Sequence, residues 1–173
     1  LFSEGEVNQA LDAVQDLLKD YPNEPVLFNI KGACYADLGQ LDVAVTNYKE
    51  AITIKPDYAK AHFNLAGSLH DLGQLETAVQ SYQKAIEIDA SYAEAYNNLG
   101  NVYQELKQVE SAVQNYKRAL EIKPDYVAAQ YSLGNTFMEL GQLEEAVKSY
   151  KAALKLKPDF VEAINNLGIT FYK

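Results

Sequence analysis

The chain has 173 residues, 48% hydrophobic and 23% charged, a balance that suits a globular chain and excludes the disordered class. Fifteen basic residues are scattered among 24 acidic ones, a formal net charge of −9. A phosphate-binding surface needs clustered Lys and Arg, so nucleic acid is excluded as a partner and anionic membranes are disfavoured, whereas neutral or basic partners are favoured.

No stretch approaches the ~18 unbroken apolar residues of a membrane span, so no membrane insertion is expected. Leu1 to Val7 lack the basic start and apolar core of a signal peptide, and there is no initiator Met. The chain therefore reads as a fragment, and a cytoplasmic location is the expectation. A single cysteine, Cys34, cannot form an internal disulfide or a multi-Cys metal site. It reads as a small packing residue.

The opening segment, residues 1–24, reads as the end of one helix followed by a second helix whose apolar Leu11, Val14 and Leu17 lack most of a preceding first helix to cover them. Beyond it a repeat governs the text. Pro22, Pro56, Pro124 and Pro158 are separated by 34, 68 and 34 residues, and the skipped step falls on Ala90. The same 34-residue step carries Ala44, Ala78, Ala112 and Ala146, then Tyr48, Tyr82, Tyr116 and Tyr150, then Ala51, Ala85, Ala119 and Ala153. It also carries Leu65, Leu99, Leu133 and Leu167, followed by Ala66, Gly100, Gly134 and Gly168. Full units are 25–58, 59–92, 93–126 and 127–160, with partial units at 1–24 and 161–173.

Each unit reads as two helices. In the third, a first helix over about Ala93 to Leu106 places Tyr96, Leu99, Gly100 and Tyr103 on one face. A second, over Val109 to Ile122, does the same with Ala112, Tyr116, Ala119 and Leu120 and stops before a proline that cannot continue it. Asp57, Ser91, Asp125 and Asp159 precede the first helices as natural N-caps. Ser91 with Glu94, and Asp159 with Glu162, have capping-box spacing. Gly39, Gly73 and Gly141 supply the turn between helices, and Lys107 replaces that glycine in the third unit. A left-handed Lys costs roughly 1 kcal/mol, which predicts a looser or altered turn there. The small residues let paired helices approach, and the tyrosine column fills the space beside them.

These columns resemble the tetratricopeptide repeat (TPR) family over nearly the whole chain. The runs Tyr96-Asn97-Asn98-Leu99-Gly100 and Ile164-Asn165-Asn166-Leu167-Gly168 look like bacterial-type arrays. They are also similar to the repeat region that precedes the catalytic part of O-GlcNAc transferases; nothing here resembles that catalytic domain. The resemblance implies an all-α fold, a right-handed superhelical solenoid of TPR helix-turn-helix repeats forming a single array over 1–173. The family places a large residue at unit position 4. That column here is Phe28, His62, Tyr96, Gln130 and Ile164, so two units depart from it and softer contacts are expected there.

In the family the first helices line a concave groove through unit positions 2, 5, 6, 9, 12 and 13. Carried over column by column, the groove residues expected to bind a peptide are Asn29, Phe63, Asn64, Asn97, Asn98, Asn101, Tyr131, Asn135, Asn165 and Asn166. Asparagine is a mediocre helix former, yet it recurs on this face, and its amide donates and accepts at once. Such a row could hold the backbone of an extended peptide; alternatively it ties one helix to the next or is simply solvated. Position 13 gives Asp37, Asp71, Glu105, Glu139 and Lys173, an acidic column that reads first as a solvated face. Positions 5 and 9 carry no Lys or Arg and Lys60 is the one basic residue at positions 2 and 6, so a clamp for an acidic C-terminal tail is not expected.

No catalytic residue, metal ligand or cofactor site is expected. His62 and His70 lie eight apart without a completing ligand pattern, and no strand precedes a Gly-rich phosphate loop. The leading expectation is a protein-protein interaction scaffold that holds an extended peptide of a partner. The alternatives are a substrate-recognition arm of a larger enzyme such as a glycosyltransferase, and a structural module whose copies stack end to end through apolar ends such as Leu167 and Phe171.

Overall fold

The computed structural model describes residues 4–172, and every regular element among them is an α-helix. They are α1 Glu4–Asp20, α2 Pro25–Asp37, α3 Leu41–Ile54, α4 Ala59–Asp71 and α5 Leu75–Ile88, then α6 Ala93–Glu105, α7 Val109–Ile122, α8 Val127–Glu139, α9 Leu143–Leu156 and α10 Val161–Tyr172. The chain forms two compact units, Leu1–Ala90 with α1 to α5 and Ser91–Lys173 with α6 to α10.

In the first unit α2 pairs with α3 and α4 with α5, and α3 joins the two hairpins by packing on α4. Helix α1 lies on α2, where Val7, Leu11 and Cys34 share a buried cluster edged by Tyr35 and Leu38. Hairpins α6–α7 and α8–α9 build the second unit, with α10 on α9. Its core gathers Ala112, Tyr116, Leu133, Phe137, Ala146 and Tyr150.

The tyrosine column packs as expected: Tyr48, Tyr82, Tyr116 and Tyr150 are all buried. The reason is visible at the facing glycines. A Cβ on Gly32, Gly100 or Gly134 would sit 2.6 Å from a ring carbon of Tyr48, Tyr116 or Tyr150, closer than carbon atoms approach. The missing methyl is therefore the space in which the ring lies. The second hairpin uses Ala66 at this column, and there Phe63 meets Tyr82 edge-on with ring centroids 5.7 Å apart.

Four local expectations need correction. First, the N-cap lies one residue later than the acidic or serine column: Tyr58, Tyr92 and Tyr126 occupy it, and none caps through its side chain. The tyrosine carbonyls accept the first amides instead, as from Ala61 at 3.0 Å and Ala95 at 3.0 Å. Glu94 in the first turn of α6 accepts from Lys123 Nζ at 3.2 Å. Helix α2 does carry a side-chain cap, Glu24 accepting from the Val26 amide at 3.3 Å, with Pro25 opening the helix.

Second, Lys107 does not alter its turn. Its φ of 59° matches the 72°, 72° and 70° of Gly39, Gly73 and Gly141. The bonds match too: Lys107 N–H to Gln104 O at 3.1 Å and Gln108 N–H to Tyr103 O at 2.8 Å repeat those of Gly39 to Ala36 at 2.9 Å and Gln40 to Tyr35 at 2.8 Å. Packing of the hairpin imposes the turn, and the lysine bears the strain.

Third, α1 is continuous from Glu4, so Gly5, one repeat before the turn glycine Gly39, is helical. The expected end of a preceding helix falls on residues 1–3, which lie outside the described residues. Fourth, Leu11 and Val14 are buried rather than uncovered, while Leu17 is exposed. At the other end Leu167 packs partly against the core, and Phe171 is 66% exposed.

Candidate functional site

The candidate residues lie on the first helices of the hairpins, and the structure shows how each amide is used. In the first unit Asn29 on α2 is buried, and its Oδ1 accepts from Nδ2 of Asn64 on α4 at 2.9 Å. This bond joins position 5 of one repeat to position 6 of the next. Phe63, beside Asn64, is half-buried, with Lys60 Nζ 5.2 Å from its ring centre.

The second unit repeats the lateral bond between α8 and α10. Asn166 Nδ2 reaches the Tyr131 hydroxyl at 3.1 Å and Asn135 Oδ1 at 2.9 Å. Asn135 Oδ1 also accepts from the Tyr150 hydroxyl at 2.8 Å, just as Asn101 Oδ1 accepts from Tyr116 at 2.8 Å. Position 9 thus receives the phenol of its own hairpin. Tyr131 leans against Tyr150 and Phe160, with ring centroids 6.0 and 4.8 Å away. On α6, Asn97 is 4% exposed and donates to Asn98 Oδ1 at 3.1 Å. Asn165 is exposed.

The sequence-predicted residues therefore come together as three groups: Asn29 with Asn64, Asn97 with Asn98, and Tyr131 with Asn135 and Asn166. Part of the amide capacity is spent on tying helices, one of the alternatives open from the sequence. A second lateral row went unforeseen. Thr136, buried on α8, donates to Gln104 Oε1 on α6 at 3.0 Å, and Thr170 on α10 lies 2.9 Å from Met138 Sδ on α8. The signal was present in Thr136 and Thr170, one repeat apart and mid-helix, although each hydroxyl also lies within bonding distance of the carbonyl four residues back, Ser132 O at 2.8 Å and Asn166 O at 2.6 Å.

Burial raises the phenols behind this face. Tyr48, Tyr116 and Tyr150 are each pushed up to about 12, chiefly by desolvation, with the Asp37 charge added at Tyr48, that of Glu105 at Tyr116 and Tyr131 at Tyr150. Hydrogen bonds from Ser68, Ser132 and Asn166 respectively oppose the rise. Burial and then the Asp37 charge also push the Cys34 thiol up, so it stays protonated and unreactive.

The acidic column is exposed at Asp37, Asp71, Glu105 and Glu139. Glu139 takes the Gln104 amide and has Lys107 Nζ at 3.9 Å. Lys173 lies outside the described residues. His62 contacts the Pro56 carbonyl at 2.9 Å through Nε2. Among the described residues no group of three or more His, Cys, Asp or Glu is placed to hold a metal, and no helix is long and apolar enough to cross a membrane.

Paired helices of near-constant length, a fixed turn and a polar face on alternate helices define an all-α helical-repeat solenoid. The chain belongs to the tetratricopeptide repeat family: the pattern described as TPR repeat matches residues 32–71, 68–107 and 134–173, and those described as tetratricopeptide repeat match 93–126 and 115–148.

Among solved structures it is similar to MamA, at a TM-score of 0.82 and 28% identity over 92% of this chain and 94% of that one. The fold is also that of YrrB, a TPR protein with an unusual peptide-binding site, at a TM-score of 0.80 and 19% identity over 94% and 84% of the two chains. Curated relatives include the peroxisomal targeting signal receptor of Candida glabrata, 31% identical over 67 residues, which is 39% of this chain and 11% of the receptor. Another is the Hsp70-Hsp90 organizing protein 2 of Arabidopsis thaliana, 34% identical over 59 residues, 34% of this chain and 10% of that protein. The matched stretch thus spans about a tenth of these curated relatives.

Proposed function

We propose that the chain holds an extended segment of a partner protein along the face of its first helices, with the asparagine amides gripping the segment's backbone. The observation that carries this reading is the arrangement of Asn64 and Asn166. Each spends Nδ2 on a neighbouring helix, which fixes the amide plane while leaving the carbonyl oxygen for a ligand. A pre-fixed amide loses little rotamer freedom when a ligand docks. Phe63 and Tyr131 supply apolar contact beside it, and the exposed acidic column favours a neutral or basic segment. The lack of Lys and Arg at positions 5 and 9 argues against an acidic tail as the ligand.

The test is a random-peptide library screened against the purified chain, beside Asn98→Ala and Asn165→Ala. Neither of these residues ties two helices of its unit, so the variants keep their fold, which circular dichroism checks. The reading expects peptide capture by the wild type and about tenfold weaker affinity in the double variant, the scale of one or two lost hydrogen bonds. Equal binding by the folded double variant would place recognition on another surface.

A further inference from the structure

The lateral bonds follow a rule, and at one place the rule is broken. Position 5 of a repeat accepts from position 6 of the next: Asn29 from Asn64, and Tyr131 from Asn166. By the same register Asn97 on α6 should accept from residue 132 on α8. That residue is Ser132. Its hydroxyl is shorter than an asparagine amide and is engaged with the Tyr116 side chain. Asn97 Oδ1 is left buried with no hydrogen-bond partner among the described residues. The other end of the same side chain is used, Nδ2 donating to Asn98 Oδ1 at 3.1 Å.

An unpaired buried carbonyl is costly, and native folds keep few of them. Replacing Ser132 by asparagine, the residue found at this column in Asn64, Asn98 and Asn166, would relieve it. We propose that the gap is a recognition point: Asn97 Oδ1 is the acceptor for a backbone N–H of the bound extended peptide. This rests on the peptide-binding reading above and deepens it by assigning the donor–acceptor chemistry of one subsite. Asn98 is the half-buried side chain bonded to Asn97, and on this reading its rotation on the side-chain timescale admits the ligand. The ligand then supplies the bond that Ser132 does not, which gives that peptide position a strict demand for a free N–H.

The experiment uses the peptide captured by the wild-type chain from the random library, resynthesised with each backbone nitrogen methylated in turn. Binding is measured to wild type, Ser132→Asn and Asn97→Leu. In wild type, one methylated position should lose about tenfold in affinity, the worth of a hydrogen bond to a buried acceptor. Ser132→Asn should melt at a higher temperature than wild type and bind the unmethylated peptide about tenfold more weakly. For that variant and for Asn97→Leu, methylation at the sensitive position should cost nothing further. If every methylated peptide binds wild type equally, or if Ser132→Asn binds as wild type does while Asn98→Ala with Asn165→Ala weakens binding, the assignment to Asn97 is wrong and the wider reading stands. Failure of the wild type to capture any peptide overturns both.

Discussion

At the scale of single residues, the asparagines serve the fold before they serve a ligand. Asn29 is buried, and its carbonyl is satisfied by Asn64. Removing the donor strands the acceptor, so Asn64→Ala should destabilise the first unit by about 1–3 kcal/mol. Asn29→Ala removes the same bond from the other side. The double variant should cost clearly less than the sum, because the second deletion removes a group already orphaned. Urea unfolding of the four chains measures this, and strictly additive losses would show that the pair does not couple. The same reasoning separates Asn64 and Asn166, whose loss changes stability and binding together, from Asn165, whose loss should change binding alone; Asn98 stands between, because its loss also strands the Asn97 amide that donates to it.

At the scale of the element, the inter-helix turn is dictated by hairpin packing more than by its own residue. Lys107 adopts a φ of 59° because the Tyr116 ring must meet Gly100. The left-handed backbone costs a lysine more than it costs a glycine, although glycine gives back part of the gain as unfolded-chain entropy. Lys107→Gly should therefore stabilise the second unit by up to about 1 kcal/mol, seen as a higher melting temperature with unchanged helicity. The ion pair it sacrifices, to Glu139 at 3.9 Å, is too exposed to matter. A lower melting temperature would show that the turn differs from its three glycine counterparts.

For the molecule as a whole, the buried phenols set an alkaline limit. Tyr48 in the first unit and Tyr116 and Tyr150 in the second are raised from 10.0 to about 12. Above pH 10 the unfolded chain releases these protons while the folded chain keeps them. Unfolding is then favoured progressively as pH rises, and stability present in full below pH 10 is lost on the way to about 12. Helicity followed against tyrosinate absorbance should show these tyrosines ionising together with helix loss. Ionisation of all thirteen tyrosines near 10 with helicity intact would contradict the packing role of this column.

The sequence by itself determined the period, the helix pairs and the tyrosine-against-glycine packing. These depend on side-chain size and spacing, which repeat every 34 residues and can be counted. It also placed the polar face, because a helix of known phase assigns faces. Which atoms on that face are spent and which are left over was decided only by the tertiary structure. Asn64 and Asn98 stand in the same column, yet the first bonds a neighbouring helix and the second its own neighbour in sequence. The orphaned Asn97 carbonyl arises from a serine 35 residues away that is one amide too short and bonded elsewhere. Cap register and the Lys107 turn were likewise settled by packing: local propensities of about 1 kcal/mol yield to the burial of a whole tyrosine ring, which is worth more.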